Sequence, residues 1–177
     1  MKKITLILIL LLAFGFSYGQ SIFTNPITDS DPEDDNPYTN NQVVDANITV
    51  SGIGRGSNIA PNNGTNRYNA RGWNSSSINL NDYFEFILTP NSGYEIDFVS
   101  FVYTSQRSGS GPTNFAFRTS IDGFTSNIGA PTAGGLTTID LTAATYQSIT
   151  EAITFRIYGW GASSGLGTFS VNSFTFN

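Results

Sequence analysis

The chain has 177 residues, 39% hydrophobic and 12% charged, with 14 Phe, no Cys and no His. Eight basic against 13 acidic residues leave a net charge of −5; this argues against nucleic-acid partners, whose phosphates call for a basic surface, and against anionic membranes. The missing His and Cys remove the side chains on which most catalytic triads and zinc sites depend, and a fold without disulfides must be held by packing or by a bound ion.

The first residues, "MKKITLILILLLAFGFSYGQ", place Lys2 and Lys3 before an apolar run from Ile4 to Phe16. Ser17 and Gly19 then stand three and one positions before a cut at Gln20. This is the pattern of a secretory signal peptide, and the run is short for a membrane span; an uncleaved anchor is the alternative. Residues 1–19 are expected to be removed and the product secreted, with no membrane insertion afterwards. The remaining stretch, 20–177, suits one domain with a real core. It carries six arginines, no lysine and all 13 acids, a net charge of −7.

Strands are expected from there on. After a short first strand, "SIFT", the segment "TDSDPEDDNPYTNN" holds five acids between Asp29 and Asp35, and two X-Pro pairs that break regular structure. Residues 20–42 therefore read as a loop-like lead-in. "QVVDANITVSGI" puts Val44, Ala46, Ile48 and Val50 on one face; "NRYNARGW" is a short irregular strand ending at Trp73. "DYFEFILTP" aligns Phe84, Phe86 and Leu88. In "YEIDFVSFVYTS", Ile96 and Phe98 share one parity and Phe101 and Tyr103 the other, which calls for a bulge or for burial on both sides. "NFAFRTS" points Phe115 and Phe117 inward and Arg118 outward, and "LTTIDLT" follows. "AATYQSI" suits a turn of helix. The closing hairpin, 152–176, alternates Ile153, Phe155 and Ile157 with Arg156, Tyr158 and Trp160, and its second strand switches parity near Asn172. Many short Phe-rich strands without an amphipathic helix predict an all-β fold: two antiparallel sheets packed as a sandwich of the jelly-roll type.

Three groups of residues bear on function. Arg156, Tyr158 and Trp160 share the outward face of one strand, about 7 Å apart in succession. Aromatic rings stack on the apolar faces of sugars while a guanidinium orients hydroxyls; Trp73 and Arg118 join this face if their strands are neighbours. The alternative is that Tyr158 and Trp160 pack beneath a loop, with Arg156 paired to an acid. Asp29, Asp31 and Glu33 are spaced like the first half of a Ca²⁺ loop but lack its central Gly and its terminal Glu; the plainer reading is a hydrated charge run. Asp82, Glu85, Glu95 and Asp97 lie on two expected strands, and a glycosidase would need two of them about 5–9 Å apart. With no His, Cys or Lys in support, the chain is read as a non-enzyme. The Gly-rich stretches "SGIGRGSNIAPNNG" and "RSGSGPTN" precede no helix, so they are loops and not phosphate cradles.

The blocks "NPYTNNQVVDANITVSGIGRGSNI", "NRYNARGWN", "DYFEFILTPNSGYEIDFVSFVY", "RSGSGPTNFAFRTSIDGFTSNIG" and "AITFRIYGWGASSGLGTFSVNSFTFN" together resemble a group of uncharacterised exported bacterial β-modules. Such modules stand alone or beside nucleases, adhesion repeats and sorting signals. The resemblance implies a jelly-roll sandwich similar in architecture to carbohydrate-binding modules, and it carries no site residues. Proteins of this group often continue into a C-terminal sorting domain of the type IX secretion route. This chain, ending at Asn177 directly after a strand, is expected to lack that signal or to be a fragment. The function expected is a non-catalytic extracellular module that binds polysaccharide weakly and requires no cofactor, with a structural Ca²⁺ the one ion suggested. The alternative is a structural or adhesive spacer without a small ligand.

Overall fold

The computed structural model describes residues 19–177; the signal peptide expected over residues 1–19 lies outside them but for Gly19. In chain order the strands are β1 (Phe23–Asn25), β2 (Val43–Val44), β3 (Ile48–Arg55), β4 (Ala60–Pro61), β5 (Tyr68–Arg71), β6 (Tyr83–Pro90), β7 (Ser100–Arg107), β8 (Asn114–Thr119), β9 (Gly135–Asp140), β10 (Ile153–Trp160) and β11 (Thr168–Phe176). Two single turns of 3₁₀-helix, Ser120–Asp122 and Ala144–Tyr146, are the only helices among the described residues. No helix there is long and apolar enough to cross a membrane.

The fold is an antiparallel β-sandwich. One sheet is ordered β3-β6-β10-β8. In the other, β11 pairs with β7 on one side, and with β1 and β5 end to end on the other; β2, β4 and β9 extend its margins. From β5 onward each strand lies in the opposite sheet from the one before it, which is jelly-roll winding. Period-two alternation explains why these segments pair as they do. In β6, Phe84, Phe86 and Leu88 are buried and Tyr83, Glu85 and Ile87 half-buried, so one face meets the core and the other looks out.

The core is a stack of aromatic rings from both sheets. Phe101 and Phe117 lie parallel at 4.9 Å, as do Phe117 and Phe155 at 5.4 Å, while Phe86 meets Phe174 edge-on at 4.8 Å. Burying each such ring stabilises the fold by roughly 1.5–3 kcal/mol, with a further ~1 kcal/mol for favourable ring geometry.

Both expected parity switches have a backbone cause. In β11 the register shifts between Val171 and Ser173, which returns Phe174 and Phe176 to the core. Before β7, the N–H groups of Val99 and Ser100 both donate to the Asn177 carbonyl, so two residues oppose one and both Phe98 and Phe101 turn inward. The shared face expected for Val44, Ala46, Ile48 and Val50 does not form. Asp45 accepts the Asn47 N–H at 2.8 Å in an Asx-turn that ends β2, and Ala46 is left exposed. The pair β4, lodged in a stretch expected to be loop, is held only at the sheet margin against β5.

Candidate functional site

The outward face of β10 is built from a cross-strand row. Arg156 stands opposite Glu85 of β6 and Arg118 of β8, and Tyr158 opposite Tyr83 and Ala116. β8 is thus the neighbour of β10, and Arg118 joins the face as expected. The Arg156 guanidinium is then paired along one edge and covered by rings. Its Nε donates to Glu85 at 2.7 Å, its terminal nitrogen pairs with the same oxygen at 2.6 Å, and Tyr83 and Phe124 cover its two flat faces at 4.0 and 4.1 Å. Burial lowers its basicity, but the hydrogen bonding and charge of Glu85 outweigh that, and its pKa is raised.

The lid over this face comes from the loop after β8. Phe124 takes a left-handed backbone (φ 61°), a conformation costing roughly 1–3 kcal/mol in a residue with a Cβ. It is held there by its N–H to Thr119 at 2.9 Å and by Arg118, which donates to its carbonyl at 2.9 Å. Arg118 also donates to Asn127 at 2.8 Å and lies over the Tyr158 ring. Tyr158 is fully buried beneath these groups, and burial pushes its phenol upward. Tyr158 thus packs beneath a loop and Arg156 is paired to an acid, with 21% of the Arg156 side chain exposed.

Trp73 does not join the face. It is fully buried, donates from Nε1 to the Ala70 carbonyl at 2.9 Å, and sets its ring edge-on against Phe84 of one sheet and Phe169 of the other. It plugs the end of the core, and Gly159 lies so close that a Cβ there would come 3.0 Å from the indole. A short strand ending in a large aromatic gave no parity by which to see this.

Trp160 is different. It is half-buried and lines a groove of about 610 Å³ beside β8, the edge strand of its sheet, together with Arg107, Asn114, Phe115, Asn127 and Thr132. The far wall is fastened: Tyr103 donates to the Thr132 carbonyl at 2.8 Å and accepts the Thr132 N–H at 2.9 Å. The near wall is tied by the Thr113 N–H to the Trp160 carbonyl at 3.2 Å and by Asn114 to the Thr113 hydroxyl at 3.0 Å. Such a groove offers part of an indole, amide donors and acceptors, and a guanidinium. Arg107 is exposed and touches only the carbonyls of Ser108 and Gly111, at 3.3 and 3.5 Å; among the described residues no carboxylate pairs with it. Sequence reasoning missed Arg107, Asn114 and Asn127. The available signal was an arginine at the close of a strand, running straight into a Gly-Ser loop with no acid nearby.

The acidic lead-in is bound to the sandwich by its backbone. Buried Arg55 donates to the carbonyls of Glu33 and Asp35 at 2.5 and 2.8 Å, and lies over the Tyr68 ring at 4.7 Å. Both Asp31 carboxylate oxygens accept the Gly64 N–H, and Asp29 turns through a left-handed backbone with its N–H on Asn66. Asp29, Asp31 and Glu33 do not converge: among the described residues no three acidic side chains gather as a metal site. Of the other acids, Asp82 is buried and accepts from Asn58 at 2.6 Å and Ser75 at 2.7 Å, and Asp97 caps the Ser148 N–H.

No family model, no curated protein and no solved structure matches this chain.

Proposed function

We propose that the protein is a non-catalytic polysaccharide-binding β-sandwich that acts outside the cell, and that its sugar contact is the groove at Trp160. The observation carrying this reading is the half-buried Trp160 set in a groove with fixed walls, beside Asn114, Asn127 and Arg107. A volume of about 610 Å³ lies within the roughly 300–1,000 Å³ range of ligand sites. Walls already ordered reduce the entropy lost on binding. The engagement of Asp82 with Asn58 and Ser75, and of Glu85 with Arg156, supports a role without catalysis.

Affinity electrophoresis of residues 20–177 through gels containing plant and algal polysaccharides tests it. At least one polymer retards the protein, and Trp160→Ala weakens that binding roughly tenfold, since one stacked aromatic contributes on the order of 1–2 kcal/mol. Equal mobility of wild type and variant in every gel overturns the reading. A spacer without a small ligand is the second reading, favoured by the covered Arg156 and Tyr158.

A further inference from the structure

We infer that the polysaccharide bound is acidic, and that a second pocket, on the outward face of the β5-β11-β7 sheet, receives its sulfate or carboxylate group. This inference rests on the sugar-binding reading above. The pocket, about 330 Å³, is lined by Arg67, Asn69, Gln106, Arg107, Thr168 and Ser170, with Ser108 at its rim. Its floor is one register row, Asn69 opposite Ser170 opposite Gln106, all pointing away from the core. The strands are held square there by Ser108, whose N–H donates to the Thr168 carbonyl at 3.0 Å and whose hydroxyl accepts the Thr168 N–H at 2.9 Å.

Three features point to an oxyanion. Two guanidiniums line the pocket and no carboxylate does. Arg67 forms no ion pair within 4 Å among the described residues, and its Nε is buried without a hydrogen-bond partner. Asp31, the acid hydrogen-bonded to the Gly64 against which Arg67 lies, has both carboxylate oxygens on the Gly64 amide. Gly64 lets the arginine lie flat on the chain, where any Cβ would clash with Nε. A guanidinium brings five donors in a planar fork that fits the paired oxygens of carboxylate or sulfate. The Arg67 Nε is covered by the chain at Gly64, so the terminal nitrogens of Arg67 and Arg107, which form no ion pair among the described residues, are the donors left to a ligand. Arg107 lines this pocket and the Trp160 groove alike, so one sugar chain can set its ring on the indole and its anionic group between the arginines. Because the chain from Gln20 carries a net charge of −7, bulk attraction to a polyanion is absent, and any retention reports a local site.

The test compares matched polymers: dextran sulfate against dextran, and polygalacturonate against its methyl ester, with residues 20–177 intact. At least one charged member of a pair is expected to bind at least tenfold more tightly than its neutral partner. Arg67→Gln and Arg107→Gln each remove about tenfold of that preference, while Arg71→Gln, which makes the same charge change outside the pocket, removes none. Circular dichroism melts establish that each variant is folded, and Arg67→Lys, which keeps the charge but not the fork, retains part of the preference. Preference for dextran sulfate identifies the group as a sulfate ester, and preference for polygalacturonate as a uronate; either supports the pocket. Equal binding within both pairs, or an equal loss in Arg71→Gln, overturns the anionic subsite and leaves the Trp160 reading standing. A charge preference that survives Trp160→Ala at full strength keeps the subsite and removes the indole from the site.

Discussion

Arg156 and Arg107 make a natural experiment within one chain. Both lie on or at the end of long strands and both have an aromatic near, yet one is closed and the other open. Arg156 sits mid-strand, where the register fixes Glu85 directly opposite, and a loop brings Phe124 down on it. Arg107 is the last residue of β7, where pairing stops and the following loop offers only carbonyl oxygens. Residue type is the same in the two places. Cross-strand neighbours decide which guanidinium is structural and which is available to a ligand.

The two tryptophans repeat the contrast and give the largest expected effect. Trp73→Ala empties a site filled from both sheets and should cost about 3–5 kcal/mol in urea unfolding. Trp160→Ala, at a half-buried groove wall, should cost distinctly less, about 1–2 kcal/mol. Fluorescence sharpens the same point: with Trp73→Phe the remaining indole is quenched freely by acrylamide, and with Trp160→Phe the remaining indole is shielded. Comparable costs for the two alanine variants would break the distinction between core plug and groove wall.

A smaller effect is expected where Arg156 is closed off. Glu85→Ala leaves a guanidinium whose side chain is only 21% exposed without its acid, at a cost of about 1–2 kcal/mol. Phe124→Ala uncovers one flat face and should cost about 0.5–1 kcal/mol; alanine keeps a Cβ, so the left-handed backbone strain at this position is unchanged. A double-mutant cycle checks that the two losses are coupled. Additive costs would mean that the lid and the ion pair are independent.

Much of this was legible in the sequence, and the boundary is physical. Period-two alternation over Phe84–Leu88 or Ile153–Ile157 is a local signal, and the strands stand where it puts them. Parity breaks betrayed the bulges at Asn172 and before Phe101, because a buried face cannot switch sides without an extra residue. What the sequence lacked was the pairing partner. Ala46 carried the right parity but fell in a turn made by Asp45, and Trp73 lay beyond its strand, where parity has no meaning. The groove and the arginine-lined pocket draw residues from β5, β7, β8, β10, β11 and three loops; only the sheet order brings them together, and sheet order is non-local.

The smallest effect concerns the loop that carries the lid. Asp122 accepts the N–H groups of Thr125 at 3.1 Å and Ser126 at 2.8 Å, and so fixes the turn that aims Phe124 at Arg156. Hydrogen bonds from Ser126, and then from Thr125, hold its carboxyl down at about 2, below an ordinary value of 3.8. A carboxyl depressed in the folded state adds stability that is complete above its unfolded pKa and is lost as pH falls through the folded one. The contribution is therefore whole above about pH 4 and gone near pH 2. Asp140, its pKa also lowered by hydrogen bonds from Thr142, is present in wild type and variant alike, and Tyr146, raised by burial, keeps its proton throughout. The difference in melting temperature between wild type and Asp122→Asn thus isolates this one group. It should shrink steadily from pH 5 to pH 2, since an amide cannot supply the ionised acceptor that wild type loses. A difference that stays constant over that range would show that the charge on Asp122 does not hold the lid, and that Phe124 is kept in place by Arg118 and Thr119 alone.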